Sequence, residues 1–248
     1  MEAELRDQFI ARWRQYFGEA ELPIACYYTD REDTAPAADI PTGHCCVIGA
    51  LAEVRHGHAR RFDGDSVGCW GGKRYFGFTQ ALSPTFDYFL SCGLPGQMEG
   101  ERYKKSPELV RAFVERAPRF TAPARFLVFK RWDRLETEEV PEVVIFFARA
   151  EVLSGLFTLT NYDEADVHAV IAPFSAGCGS IVQYPFLERG RERPRAVLGM
   201  FDVSARPFVP ADVLSLAIPM AKFRQMVDDM PESFLITPSW RKVRQRLA

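Results

Sequence analysis

Two ten-residue stretches of this chain resemble each other, and their similarity limits the folds that the sequence can adopt. Residues 66–75 read SVGCWGGKRY and residues 175–184 read SAGCGSIVQY. Serine, glycine, cysteine and tyrosine occupy equivalent positions at one common offset, 178 − 69 = 109. Each stretch follows an apolar run typical of a strand and precedes a segment that favours a helix. The pattern predicts two strand-to-helix turns that carry Cys69 and Cys178 beside free backbone N–H groups.

The elements around the two turns also follow one order. Each half is predicted to contain a strand, a helix, a strand and a cysteine turn: 24–28, 45–55, 58–62 and Cys69, then 143–148, 151–162, 167–173 and Cys178. We therefore predict an internally duplicated α/β fold, with a mixed α+β fold as the alternative. The β-α-β halves, about 23–80 and 143–187, are expected to pack as one globular domain over 1–248. A helical connector at 81–125 joins them.

Further elements are predicted outside the two halves. Apolar residues at near-helical spacing indicate an amphipathic helix over 2–17, and Ser106 followed by Pro107 marks the start of another helix. Additional strands are expected at 126–132, 196–201 and 214–218, and additional helices at 220–230 and 239–247.

Composition excludes several classes of protein. The formal net charge is −2 and the sequence pI is near 6.1, so there is no basic surface for nucleic acid. Since no apolar run approaches the roughly 20 residues that span a bilayer, we expect no membrane segment. The N-terminus is acidic and amphipathic, unlike a secretory signal. We therefore predict a cytoplasmic protein.

The cysteines allow a metal centre as well as simple packing. The chain has six cysteines and lacks the C-x-x-C pair of common structural zinc sites. Cys46, Cys69 and Cys178, gathered by the fold, are candidate ligands for an iron–sulfur cluster or a soft metal. His44 is more consistent with an exposed helix entry than with a base or ligand. In the alternative interpretation, the cysteines are small apolar residues of the core.

The glycines beside the two cysteines suggest a site for an anion. Glycine permits a close approach of a ligand to the backbone, and N–H groups at a helix start attract negative charge. The candidate binding residues are Gly68, Gly71, Gly72, Gly177, Gly179 and Ser180. A phosphate loop of the Walker type is excluded, since no Gly-Lys-Ser/Thr sequence follows.

Longer stretches resemble a known family. The segments FLVFKRWDRL, PEVVIFFARAEVLSGLFTLTNYD, VIAPFSAGCGSIVQYPFLE, PRAVLGMFDVSARPFVPADVLSLAIPM and ESFLITPSW are similar to domain-of-unknown-function family 169. In the first half the similarity runs through CCVIGALAEVRHG, the Gly-Cys stretch and GERYKKSPELVRAF. The usual family form has glycine where this chain has Ser175. The resemblance supports the Gly-Cys turns and implies no activity.

Three functional hypotheses follow. The first is binding of a small anion, or of a thiolate-ligated metal or iron–sulfur centre, between the two turns. The second is an enzyme with Cys178 or Cys69 as the catalytic nucleophile or redox thiol. The third is a structural or interaction protein without catalysis. We expect Cys178 to be the more reactive thiol, because its small neighbours leave room for a ligand and a helix start lowers a thiol pKa.

Overall fold

The fold is built on one mixed seven-stranded sheet. The computed structural model describes residues 3–247. Along the sheet the strands follow the order β2-β5-β1-β6-β9-β8-β7, and neighbours are antiparallel except for β7 and β8. The strands are β1 (Ile24–Thr29), β2 (Arg60–Phe62), β5 (Phe126–Arg131), β6 (Val143–Ala148), β7 (Val170–Ile171), β8 (Ala196–Gly199) and β9 (Leu214–Pro219). A separate hairpin pairs β3 (Gly93–Leu94) with β4 (Met98–Glu99).

The helices cover both faces of the sheet. Successive side chains of a strand point to opposite faces, so β6 contributes Phe146 to one hydrophobic core and Ile145 to the other. The first core packs against α1 (Ala3–Phe17), α6 (Ala150–Thr160), α8 (Met220–Asp229) and α9 (Pro238–Arg244). The second core packs against α2 (Val47–Arg55) and the helical residues 177–188. The architecture is therefore three layers, helix, sheet and helix.

Shorter helices complete the second side of the molecule. These are α3 (Trp70–Tyr75), α4 (Phe86–Phe89) and α5 (Pro107–Arg116). The helical residues 177–188 begin as a short helical turn, continue as the π-helical segment Gly179–Gln183 and end in α7 (Tyr184–Glu188). Single-turn 3₁₀ segments lie at Trp132–Arg134, Arg206–Phe208 and Phe234–Ile236. Helix α3 packs directly on the π-helical segment.

Most predicted elements are present within a few residues of their expected bounds. The mixed α/β class is confirmed, and Ser106 caps α5 by accepting a hydrogen bond from the Leu109 N–H at 3.3 Å. Glu2, where the first helix was predicted to begin, lies outside the described residues, as do Met1 and Ala248 of the predicted domain.

Three sequence predictions differ from the structure or are not confirmed by it. The strand expected at 167–173 is reduced to Val170–Ile171, because the Asp166 carboxylate accepts the His168 N–H and holds the chain in a turn. The internal duplication is not confirmed. Its predicted counterparts, α2 and α6, pack against opposite faces of the sheet. The connector 81–125 contains the β3–β4 hairpin in addition to α4 and α5.

Candidate functional site

Three thiols from distant parts of the chain gather on one face of the sheet. Cys46 is the residue before α2, Cys69 is the residue before α3, and Cys178 lies in the first turn of helical residues 177–188. These thiols interact electrostatically, since Cys69 influences the pKa values of both Cys46 and Cys178. The two Gly-Cys turns of the sequence therefore do approach each other. Cys46 joins them from a third helix start.

Cys69 is held by the end of its own helix. Its backbone is extended, and its Sγ accepts a hydrogen bond from the Gly72 N–H at 3.2 Å, which satisfies one of the free donors of α3. The side chain is half-buried, whereas its neighbour Trp70 is 55% exposed. Cys69 is therefore partly exposed to solvent.

Cys178 is in a different environment. It is only 5% exposed and belongs to the second hydrophobic core. Burial raises the pKa of the Cys178 thiol well above its ordinary value, and negative charge at Cys69 and Asp202 adds to the effect. The expectation of a lowered pKa at this helix start is thus wrong in direction, because loss of hydration outweighs the nearby N–H groups. Burial likewise raises the pKa of Cys46, although the Ile48 and Gly49 N–H groups act against it.

Tyr75 and Gly179 form the contact between the two Gly-Cys segments. A Cβ added at Gly179 would lie 2.7 Å from Cδ1 of the Tyr75 ring and would overlap Ser175 Oγ. Glycine is therefore required for α3 to pack this closely on the π-helical segment. Burial raises the pKa of Tyr75 to about 12, and the Cys178 thiol contributes to the increase. The Ser175 hydroxyl beside Tyr75 is buried without a hydrogen bond that meets standard geometry.

Asp202 completes the group and was not identified from the sequence. It follows β8, and its Oδ2 accepts a hydrogen bond from the Gly177 N–H at 3.0 Å at the start of the Cys178 helix. Its Oδ1 accepts bonds from the N–H and hydroxyl of Ser204 at 3.1 and 2.8 Å. The signal in the sequence is a short turn after a strand, Asp202 followed two residues later by Ser204, which is typical of an aspartate bonded to local backbone.

The predicted anion-binding donors are partly occupied. The Gly177 N–H is bound by Asp202, and the Gly72 N–H is bound by the Cys69 sulfur. Gly68 has a packing role, since a Cβ there would lie 2.7 Å from Pro41 Cγ. Gly71 is exposed and faces open space. These contacts leave few free donors for an anion between the two turns.

Ser180 also serves packing. Its hydroxyl donates to the Gly177 carbonyl at 2.8 Å, and a Cβ at Gly199 would overlap it. The π-helical segment therefore lies directly against β8. Such π segments occur often at functional sites, where they reposition one turn of side chains.

The described side chains do not form a metal site. Across residues 3–247, no group of three or more histidine, cysteine, aspartate or glutamate side chains is arranged to hold a metal ion. Cys46, Cys69 and Cys178 are near one another, but in this arrangement they do not fit a metal or an iron–sulfur cluster. The other cysteines differ in exposure: Cys26 is buried in the core, whereas Cys45 and Cys92 are exposed. His44 is exposed, as the sequence indicated.

No helix in residues 3–247 has the length and apolar character needed to cross a bilayer.

Comparison with curated proteins and with solved structures gives no significant match. One family model matches residues 14–229 of the 248, and its description is "uncharacterised ArCR". That region includes both Gly-Cys turns, Cys46 and Asp202. The chain therefore belongs to the uncharacterised ArCR family, domain-of-unknown-function family 169.

Proposed function

We propose that this protein acts on a small electrophilic ligand through the sulfur of Cys69. The observation that carries the proposal is the gathering of three thiols from distant segments, of which Cys69 is half-buried and Cys178 is buried in the core. In the reaction a bond forms between sulfur and the electrophilic atom of the ligand. The leaving group departs with the bonding electrons, and the thiol proton passes to solvent.

Cys46 and Cys178 serve this site as protonated neighbours. Burial raises the pKa of both thiols, which lowers their thiolate fractions and makes them poorer nucleophiles than an exposed thiol. Asp202 holds the start of the Cys178 helix through the Gly177 N–H. This arrangement favours a thiol reaction over anion or metal binding, since the Gly72 and Gly177 N–H groups are engaged and the described side chains do not fit a metal.

Alkylation of the folded protein tests the proposal. A Cys45→Ser/Cys92→Ser background removes the two exposed thiols. Iodoacetamide labelling at pH 8, followed by peptide mapping over time, is expected to modify Cys69 first. Burial limits access of the reagent to Cys178 and lowers its thiolate fraction by raising its pKa, so Cys69 should react faster than Cys178. The fast adduct should disappear in Cys69→Ser.

Two outcomes would overturn the proposal. One is modification of Cys178 at the rate of Cys69 in protein whose circular dichroism shows a native fold. The other is stoichiometric iron, copper or zinc in anaerobically purified protein that is lost in Cys69→Ser, since thiolate-bound metal would then account for the gathered cysteines. Labelling in denaturant provides the control that every thiol is chemically available.

A further inference from the structure

A narrow groove with mostly apolar walls lies along α3, and its lining includes Trp70, the residue after Cys69, but not Cys69 itself. Helix α3 forms one wall, and α4 and α5 form the other. The residues that matter here are Trp70, Arg74, Leu82, Phe86, Phe113 and Pro118. The space within the groove is about 50 Å³, and the groove is partly open to solvent. The groove therefore suits a ring or a short chain more than a long acyl chain.

The floor of the groove is fixed by the same contacts that hold the thiol group together. Tyr75 lies on the floor and packs against Gly179. Gln183, from the π-helical segment, also lies there and donates a hydrogen bond to the Pro118 carbonyl at 2.7 Å. Preformed, largely apolar clefts with a few fixed polar groups are the usual form of a small-molecule site.

One charged group enters this apolar groove. Arg74 donates one hydrogen bond, from Nη1 to the Gln80 carbonyl at 2.6 Å. A guanidinium carries five N–H donors, so most of its bonding capacity remains. Among the described residues 3–247, no carboxylate forms an ion pair with Arg74, and the groove lining contains no acidic residue. The groove thus offers positive charge next to aromatic walls.

We infer that this groove binds a short apolar monocarboxylate, with the carboxylate on Arg74 and the apolar body against Trp70, Phe86 and Phe113. An arginine fork matches the planar geometry of a carboxylate, and aromatic rings favour an aromatic or compact aliphatic body. The inference names a ligand class for the groove next to the Cys69 site, and to that extent it rests on the proposed function. Binding itself requires no reaction at sulfur.

Trp70 provides the measurement. It is 55% exposed, whereas Trp13, Trp132 and Trp240 are at most 3% exposed, so a ligand in the groove should alter mainly the Trp70 fluorescence. The probe is 3-phenylpropionate, compared with neutral 3-phenylpropanol and cationic 3-phenylpropylamine. We expect a saturable change for the acid with a Kd on the order of millimolar, because the ligand is small. The change should be absent in Trp70→Phe.

Arg74 variants separate charge from packing. Because a charge-assisted hydrogen bond is lost, Arg74→Gln should weaken binding of the acid about tenfold, while Arg74→Lys keeps the charge but not the fork and should retain only part of the binding. Arg116→Gln is the matched control: it removes an exposed charge from α5 outside the groove lining. Circular dichroism and thermal melting confirm that each variant is folded.

The thiol and groove hypotheses fail in different ways. In Cys69→Ser the Trp70 response to 3-phenylpropionate should be unchanged, and in wild-type protein the acid should slow alkylation of Cys69. Equal binding of the acid and the alcohol, or full binding by folded Arg74→Gln, would refute the carboxylate inference while leaving the thiol proposal intact. Slow alkylation of Cys69 together with normal binding of the acid would refute the thiol proposal alone.

Discussion

Two glycines of the Gly-Cys segments should respond oppositely to replacement by alanine. Gly71 lies in α3 and faces open space, whereas a Cβ at Gly179 would lie 2.7 Å from the Tyr75 ring. In a helix, alanine is favoured over glycine by about 0.5–1 kcal/mol, so Gly71→Ala should stabilise the protein by that amount. At Gly179 the same gain is opposed by overpacking, which costs about 1–3 kcal/mol.

The difference between the two variants is the quantity to measure. Since both gain the same helix preference, they should differ by the overpacking cost, about 1–3 kcal/mol or roughly 2–12 °C in Tm for a chain of this size. Urea denaturation gives the free energy of unfolding of each. A Gly179→Ala/Tyr75→Ala double variant should recover only part of the loss relative to Tyr75→Ala, because the overlap of the new Cβ with Ser175 Oγ remains. If Gly179→Ala is as stable as Gly71→Ala, the close contact between α3 and the π-helical segment is not present in solution.

Four further predictions concern charges and a helix cap. Burial alone would raise the pKa of Glu164, but its hydrogen bonds to Lys222 and Arg193 lower that pKa below its ordinary value. The ionised Glu164 therefore stabilises the fold above about pH 4.5, and this contribution is lost as the pH falls below that value. Measurement of Tm against pH should show the loss. Glu164→Gln should cost about 3–5 kcal/mol at pH 7 in a urea melt, since Lys222 is buried beside it, and a loss below 1 kcal/mol would contradict the pairing. Ser106→Ala should cost about 1 kcal/mol by the same assay, and no change would rule out the cap. Asp202→Asn should speed alkylation of Cys178, because it removes one of the negative charges that raise the pKa of that thiol. An unchanged rate would contradict this prediction.

Local patterns in the sequence were enough to predict most elements of the fold. Ser106 and Pro107 predict a helix start because both act on the backbone of the first helical turn. The apolar run Val143–Ala148 predicts a strand with the bounds that the structure has. The strand 167–173 was overestimated because one aspartate side chain, Asp166, bonds the backbone and competes with the ladder. The face of the sheet on which a helix packs depends on the whole topology, which explains why α2 and α6 were wrongly paired.

The site was predicted only in part for the same reason. The common offset of the two Gly-Cys stretches identified Cys69 and Cys178. The sequence does not show how deeply a side chain is buried, so the direction of the shift in the Cys178 pKa was predicted incorrectly. Asp202 and Tyr75 were missed because each acts through a partner from a distant segment, Gly177 and Gly179 respectively. Contacts of this kind have no local pattern.

The position of β1 beside β6 limits the internal symmetry that the sheet could have. These strands are antiparallel neighbours, with β5 and β2 beyond β1 and with β9, β8 and β7 beyond β6, so a twofold axis that exchanges them would run normal to the sheet. Such an axis keeps every helix on its own face, and the helix in the position equivalent to α2 is then the one that carries Cys178. Under this symmetry Cys46 corresponds to Cys178, and each lies at the start of its helix.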